Sequence, residues 1–484
     1  MSSTPIRLLT VALLSSCLAC GGALADPISY LPRLGDRVQD VPSNVLLIVV
    51  DDVGVDKVGV YGEHPSPPPT PSIDRLAARG VLFRNAYSYP ACSPTRASFL
   101  TGRHARRTGI GQIIDSWKEE VELSPSEITI PEMLRRSHAS WSTSLVGKWH
   151  LSSMEGRAAP EGPGEHGFDW YAGTLGNLRD KWPEDREPEW GYTVWNKNTN
   201  GEVRLQRGYV TSDTVDDALA RIEAMPEPWF LLLSLNAAHL PLHVPPKALR
   251  HTRRRLSMNS SEVDLYDATV EAMDTELGRL LDTIDGAILD RTTIVFFGDN
   301  GTPDFGIRAP WDPQRCKGTL FEGGVNVPLI VAGPQVQHPG SETAALVHTV
   351  DIFATVAEIA GVELDSLGRV IDGVSFLPHV VDPKRPSTRE VLYTSRFKPN
   401  GAPPHRSEAS MVRNATHKLL FDPRAARGRR RSGRAPVERL FALDGGSGLE
   451  GPDLLQDKHP SAETQRILEE LRAAHARIEA DLQR

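Results

Sequence analysis

The chain has 484 residues, of which 39% are of the types AVILMFWYC, 40 are glycine and 38 are proline. With the glycines the apolar share is about 47%, a globular composition that excludes a disordered, collagen-like or multi-span membrane protein. The formal net charge is −8, so the chain has no basic excess to neutralise phosphates, and we expect no nucleic-acid partner.

The N-terminal residues have the features of an export signal. Arg7 supplies a positive charge, residues 8–14 form a short apolar run, and residues 23–25 are a small-x-small cleavage sequence. We therefore predict a signal peptide over 1–25 and a periplasmic or secreted mature protein. An alternative interpretation makes residues 14–17 a bacterial lipobox with a lipid anchor at Cys17. No later apolar run approaches the ~20 residues of a transmembrane helix, so we expect no membrane span.

The middle of the chain alternates apolar runs with helical patterns. Buried parallel strands are predicted at residues 45–50, 230–235, 293–297 and 328–332. The clearest helical spacing covers 265–284 and 352–360, and Gly361 ends the second helix. Together these elements predict an α/β fold with a large, mostly parallel central sheet flanked by helices. Ligands of such sheets bind beyond the carboxyl ends of the strands.

After about residue 385 the pattern changes to short strands without long helices between them. These strands are predicted at residues 391–393, 410–413, 417–421 and 438–443. Residues 462–483 have helical spacing, with Ser461 as the candidate N-cap. We therefore predict a catalytic domain over 26–385 and a smaller α+β domain over 386–484, with an antiparallel sheet and a closing helix.

Acidic and amide side chains follow two of the predicted central strands. Asp51 and Asp52 come after the first strand, and Asp299 and Asn300 follow the strand at 293–297. Such residues often form turns and helix caps, but two pairs at one sheet edge would repel each other without a cation. Their oxygen atoms suit Ca²⁺ or Mg²⁺ better than zinc.

The segment from Tyr87 to Arg103 places a cysteine at the start of a predicted short helix. Ser93 is the expected N-cap, Pro94 the first helical residue and Gly102 the C-terminal stop. Cys92 then lies where free N–H groups favour an anion, and Arg96 adds donors one turn later. A lone cysteine is more often a buried structural residue, but such a residue needs neither the helix start nor the arginine.

These residues resemble the signature of formylglycine-dependent (type I) sulfatases of the alkaline phosphatase superfamily. The resemblance begins with CSPTRASFLTGR at 92–103 and spreads in order over about residues 43–380. Further matches are VLLIVVDD (45–52), VGKWH (146–150), NAAHLPL (236–242), GDNG (298–301) and KGTLFEGG (317–324). ERLFALD at 438–444 is similar to the family's last strand and turn. Six motifs in order are highly specific.

The resemblance implies an alkaline phosphatase-like fold and a sulfatase, arylsulfatase-like, that hydrolyses sulfate esters. It implies that a maturation enzyme oxidises Cys92 to Cα-formylglycine, whose hydrate is the nucleophile. One Ca²⁺ would be held by Asp51, Asp52, Asp299, Asn300 and the modified residue at 92. Arg96 and Lys148 would activate the diol, His150 would deprotonate its second hydroxyl, and His239 and Lys317 would hold the sulfate and protonate the leaving oxygen.

Two other functions remain open at this stage. Relatives that share the Cys-x-Pro-x-Arg motif cleave phosphonate and phosphate diesters, and a chain with unmodified Cys92 would be a silent sulfate-binding protein. The expected substrate is a sulfated small molecule or a sulfated carbohydrate. The basic run at 424–434 is interpreted as a solvated loop or, alternatively, as an anion-binding rim for a sulfated polysaccharide.

Overall fold

The structure is a computed structural model that describes residues 43–115, 121–153, 160–178, 191–422, 437–443 and 449–483. The predicted signal peptide, Cys17 and the basic run at 424–434 lie outside these residues, so those three interpretations stay predictions. No helix within the described ranges is both long and apolar enough to cross a membrane.

A ten-stranded sheet forms the centre of the fold. Its strands are, in chain order, β1 (Asn44–Val50), β2 (Gly80–Tyr87), β3 (Ser142–Lys148), β4 (Trp170–Thr174), β5 (Val194–Thr199), β6 (Glu202–Arg207), β7 (Trp229–Ser234), β8 (Thr292–Gly298), β9 (Leu329–Ala332) and β10 (Ser341–His348). Their spatial order is β10-β2-β9-β8-β1-β7-β3-β4-β5-β6. The run from β8 through β1, β7 and β3 to β4 is parallel, which confirms the predicted mostly parallel sheet.

The predicted parallel orientation of the strand at 328–332 is wrong. β9 pairs antiparallel with both of its neighbours, β8 and β2. All of its residues are buried, and a strand covered on both faces gives the same continuous apolar run in either orientation. The run therefore indicates burial but not direction.

Helices cover both faces of the large sheet. They are α1 (Pro71–Ala78), α2 (Cys92–Thr101), α3 (Ala105–Thr108), α4 (Ile130–Leu134), α5 (Gly162–Glu165), α6 (Val210–Ala224), α7 (Glu262–Thr283), α8 (Gly286–Leu289), α9 (Glu322–Val325), α10 (Asp351–Ala360) and α11 (Leu377–Val381). Alternate residues of β1 pack on opposite layers, as the two-residue strand period requires. Leu46 and Ile48 join the core beneath α1, α6 and α7, whereas Val45 and Leu47 join the core beneath α2, α4 and α10. The predicted helices at 265–284 and 352–360 are thus present as α7 and α10.

A second, antiparallel sheet follows the large one in the chain. Its strands lie in sequence order: β11 (Leu392–Lys398), β12 (Ser407–Arg413), β13 (His417–Asp422), β14 (Val437–Leu443) and β15 (Glu450–Asp453). α12 (Ala462–Leu482) packs on it through Ile467, Leu471 and Ala474, and Ser461 caps this helix by accepting from the Thr464 N–H. The predicted small sheet and closing helix are confirmed, and β15 was missed because Gly451 and Pro452 break its pattern. The domain boundary at 385 stays a prediction.

A buried charged cluster joins the two sheets. Lys418 on β13 donates to Glu322 at the start of α9 (2.8 Å) and to Glu450 on β15 (3.1 Å). The Glu450 carboxylate also accepts from the Glu322 N–H at 2.6 Å. Tyr87 at the end of β2 donates to Glu322 and accepts from Arg413. Glu322 therefore ties the large sheet to the small one through a shared cation.

We expect Lys418→Met to destabilise the protein, because it leaves Glu322 and Glu450 buried together without their cation. Removal of one partner of a buried ion pair typically costs about 3–5 kcal/mol. The loss is measured as the free energy of urea unfolding at about pH 8. It should shrink as the pH falls, because the two repelling carboxylates of the folded variant bind protons at a higher pH than those of the unfolded chain.

The control for this prediction is Lys458→Met, at an exposed position, which should leave the unfolding free energy unchanged. A loss in Lys418→Met that is equally large at about pH 8 and about pH 5 would contradict the buried-charge explanation.

Candidate active site

Four neighbouring parallel strands, β8, β1, β7 and β3, deliver polar residues to one edge of the large sheet. These residues are Asp299 and Asn300 after β8, Asp51 and Asp52 after β1, His239 after β7, and Lys148 and His150 at the end of β3. α2 brings Cys92 and Arg96 to the same edge, and the segment before α9 brings Lys317. The structure thus gathers the predicted site residues at the carboxyl ends of the strands.

Cys92 is fully buried against the acidic residues. Its Sγ lies 3.3 Å from Asp51 Oδ1 and 4.0 Å from Asp52 Oδ1. Burial, together with the Asp299 and Asp51 carboxylates, raises the pKa of the thiol well above its usual value. The thiol is therefore protonated at neutral pH and is a poor nucleophile.

The predicted cap of α2 is wrong by two residues. The helix begins at Cys92 with Ala91 as its N-cap, so Pro94 is the third helical residue and not the first. Ser93 Oγ instead accepts from the N–H of Ile114 at 3.0 Å. Proline is tolerated anywhere in the first turn, where N–H groups have no helical partner, and so does not mark the first residue. Gly102 ends the helix with a φ of 68°, as predicted.

The carboxylates of the site lie close together, next to the buried side-chain oxygen of Asn300. Asp52 N–H donates to Asp299 Oδ1 at 3.1 Å, and Asn300 Nδ2 donates to Asp52 Oδ1 at 2.8 Å. Asn300 Oδ1 is buried and has no hydrogen-bond partner among the described residues. Burial and the Asp51 carboxylate raise the pKa of Asp299 to about 7. A hard cation would relieve this repulsion and satisfy the orphaned oxygen, so the donor set fits Ca²⁺.

Metal-ligating atoms converge on the same place. One ligand atom each from Asp51, Asp52, Cys92 and His239 lies within 4.8 Å of the others. His239 was not predicted as a metal ligand. Asp299, which was predicted as one, is not among these four residues, but its Oδ1 accepts from the Asp52 N–H. The φ of Asp52 is 65°, a strained value for a residue other than glycine and one that is typical of functional sites.

Two buried cations, Arg96 and Lys148, and the partly exposed Lys317 oppose the three carboxylates. Arg96 donates to Asp299 Oδ2 at 2.9 Å, Lys148 Nζ donates to Asp51 Oδ2 at 2.5 Å, and Lys317 donates to Asp52 Oδ1. Burial alone would raise the pKa of Asp51, but Lys148, His239 and Arg96 hold it well below its usual value. Lys317 Nζ also lies 3.8 Å from Cys92 Sγ, so this ammonium group can reach an anion attached to residue 92.

His150 presents a free ring nitrogen at the site. Its Nε2 lies 3.2 Å from the carbonyl oxygen of Ile114, which can only accept, so the proton is on Nε2. Its Nδ1 is buried and has no hydrogen-bond partner among the described residues. Burial, Lys148 and Arg96 lower the pKa of His150 well below its usual value. The ring is neutral at pH 7 and has a lone pair on Nδ1 that can accept a proton.

His239 lies at the more open side of the site. Its Nδ1 is 3.1 Å from the carbonyl oxygen of Leu240, and its Nε2 is 3.7 Å from Asp52 Oδ2. Burial lowers its pKa below the usual value although Asp52 raises it. A bound anion beside Nε2 would raise this pKa and favour the protonated ring.

Several residues that hold the site are not among the predicted site residues. Asn177 Oδ1 accepts from Lys148 at 2.6 Å, and Ser234 Oγ accepts from Arg96 at 2.6 Å. Tyr192 donates to the carbonyl oxygens of Asn236 (3.0 Å) and His239 (2.8 Å). Ser234 could have been found as the polar end of an apolar strand. Asn177 and Tyr192 lie in loops whose sequence has no periodic pattern.

Comparison with known proteins identifies relatives of the chain. The profile of the Sulfatase family matches residues 43–362. N-acetylgalactosamine-6-sulfatase of Canis lupus familiaris is 33% identical over 374 residues, covering 71% of this chain and 67% of that protein. Arylsulfatase J of Mus musculus is 27% identical over 351 residues, and the match covers 71% of this chain and 56% of that relative's length.

Solved structures share the fold. A crystal structure of Ps i-CgsB in complex with k-i-k-neocarrahexaose has a TM-score of 0.70 and 24% identity, over 89% of this chain and 92% of that one. BT4656 in complex with D-glucosamine-2-N,6-O-disulfate has a TM-score of 0.68 and 19% identity, over 92% and 98% of the two chains. The chain therefore shares its overall fold with these solved structures.

We expect Asp299→Asn to lose Ca²⁺ binding, because it removes a charge and a donor oxygen from the crowded site. Ca²⁺ at about 100 times its Kd should stabilise the unsubstituted protein by about 2.7 kcal/mol, measured as a rise in Tm. The rise should be absent in Asp299→Asn and retained in Asp290→Asn, at an exposed position. An equal rise in all three proteins would show that Ca²⁺ binds elsewhere.

Proposed function

The chain belongs to the sulfatase family of sulfuric ester hydrolases, and we propose that it hydrolyses sulfate esters through a formylglycine made from Cys92 and a bound Ca²⁺. The observation that carries the proposal is the clustering of Cys92 with three carboxylates and three cations at one sheet edge.

The two groups that complete the site have distinct tasks in this proposal. The hydrated aldehyde supplies a nucleophilic oxygen, and Ca²⁺ supplies positive charge beside the sulfuryl oxygens. Asp51, Asp52, Asp299 and Asn300 hold the ion, and the buried Oδ1 of Asn300 supports that assignment. Without the ion the three carboxylates and three cations are formally neutral. With it the site is positive and suits an anionic ester.

The chain's own side chains position the nucleophile and move protons. Arg96 and Lys148 are fixed by Asp299 and Asp51, so they orient the group at residue 92 with little reorganisation. His150 is the base, because its neutral ring presents an unpartnered Nδ1. His239 and Lys317 bind the sulfate, and His239 protonates the leaving oxygen. The approaching ester anion raises the pKa of His239 and so favours the acid form.

Sulfated carbohydrates are the substrate class that we favour. One relative is named N-acetylgalactosamine-6-sulfatase. Two structural neighbours were solved in complex with k-i-k-neocarrahexaose and with D-glucosamine-2-N,6-O-disulfate. The predicted export signal agrees with a substrate outside the cytoplasm, and formylglycine requires a maturation enzyme as a partner. The hydrolysis of phosphonate or phosphate diesters is the second candidate, because the same nucleophile attacks those esters.

We expect the mature protein to carry formylglycine at residue 92. Mass spectrometry of the tryptic peptide 85–96, from protein made with the maturation enzyme, should show the aldehyde mass in place of the cysteine mass. The same preparation should hydrolyse 4-nitrophenyl sulfate much faster than bis(4-nitrophenyl) phosphate, while Cys92→Ala should hydrolyse neither ester. Faster phosphate cleavage would favour the diesterase, and full sulfatase activity with unmodified Cys92 would contradict the proposed nucleophile.

We expect His239→Ala to slow esters of weakly acidic alcohols far more than esters of acidic phenols, because a good leaving group needs no proton. General acid catalysis is typically worth about 10²–10⁴-fold, so the gap in kcat/KM between an alkyl and a nitrophenyl sulfate should widen by about that factor. His150→Ala should slow both esters alike. A uniform loss in His239→Ala would exclude it as the acid.

A further inference from the structure

A second pocket lies between the segment that leads into Cys92 and the C-terminal sheet. It has a volume of about 240 Å³. One wall is formed by Ala91, Ile113 and Gly318, and the other by Arg396, Phe397 and Lys398 at the end of β11. Pockets for drug-sized ligands are typically about 300–1,000 Å³, so this one suits a smaller unit such as a single sugar ring.

The pocket adjoins the catalytic residues through the backbone. Ala91 directly precedes Cys92 and Gly318 directly follows Lys317, and consecutive Cα atoms are about 3.8 Å apart. Gly318 N–H donates to the Pro90 carbonyl oxygen at 2.8 Å, which holds the two segments together. Gly318 has a φ of +81°, and a Cβ built there would meet no atom within 4 Å. The wall next to Lys317 is therefore open to a ligand.

The opposite wall combines positive charge with apolar surface. Arg396 Nη1 donates to the Gly318 carbonyl oxygen at 2.5 Å, and its Nη2 lies 3.4 Å from Asp422 Oδ2. Lys398 is exposed, and no carboxylate of the described residues forms an ion pair with it. The side chain of Ile113 is 37% exposed. A ligand with an apolar ring face and a negative substituent matches these groups.

We propose that this pocket binds the sugar unit next to the one that carries the reacting sulfate, and that Lys398 recognises an anionic group on that unit. The inference rests on the proposed sulfatase function and deepens it, because it makes the substrate an anionic oligosaccharide and not a small aryl sulfate. Arg396 supports the pocket by fixing the backbone beside Lys317, while Lys398 supplies the charge that selects the ligand.

The test compares two disaccharides by titration calorimetry with Ca²⁺-loaded protein whose Cys92 is unmodified, so that neither is turned over. The first is a hexuronate linked to N-acetylgalactosamine 6-sulfate, and the second is its carboxyl-reduced form. The protein should bind the first about 5-fold tighter, the order expected for a partly exposed charge pair. Lys398→Ala should remove this preference, and Lys384→Ala, at an exposed position outside the pocket, should retain it. Higher salt should weaken it.

Equal affinities in the unsubstituted protein, a preference retained in Lys398→Ala, or binding of neither disaccharide would overturn the proposal. A third ligand, the carboxyl-reduced disaccharide with a sulfate on the neighbouring unit, separates sulfate from carboxylate as the preferred anion. Failure of the mature protein to hydrolyse 4-nitrophenyl sulfate would instead refute the sulfatase function, because the calorimetry does not depend on turnover.

Discussion

The neutralisation of buried charge at the carboxyl edge of the large sheet is the constraint on which the rest of the structure depends. Each buried carboxylate has its own cation: Asp51 with Lys148, Asp52 with Lys317 and Asp299 with Arg96. An unpaired charge at this depth would be prohibitively costly. The carboxylates follow β1 and β8, whereas their cations come from β3, α2 and the segment before α9. The pairs therefore form only if the sheet keeps these strands together at one edge, with β7 between β1 and β3. The order of the strands is therefore what allows the charges at this edge to pair.

The same edge holds backbone strain that the core offsets. Asp52 and His150 have φ values of 65° and 60°, and such residues cost about 1–3 kcal/mol each. Tyr266 donates to the Asp52 carbonyl oxygen at 2.5 Å, and His150 N–H donates to the Leu175 carbonyl oxygen at 2.8 Å. β1 before Asp52 is fully buried, and β3 before His150 is buried except at its first residue, so the strained residues are held by a rigid support.

The sequence could predict what depends on local pattern and chemical type. Continuous apolar runs located β1, β7 and β8, and the polar residues after them indicated the site. The direction of β9 could not be predicted, since burial on both faces leaves the same pattern in either orientation. The start of α2 was misplaced because Pro94 is compatible with several positions in the first turn. The roles of Tyr192 and Asn177 could not be assigned from the sequence because they arise from contacts between segments distant in the chain.

Glu322 follows Lys317 by five residues and is held in the charged cluster of the second sheet. The position of Lys317 thus depends on strands that contribute no residue to the charged edge of the large sheet. In thermodynamic terms, local opening of the small sheet and loss of the ordered Lys317 segment are linked events. Cooperativity between the two sheets would then tie the order of the Lys317 segment to the completion of the C-terminal sheet.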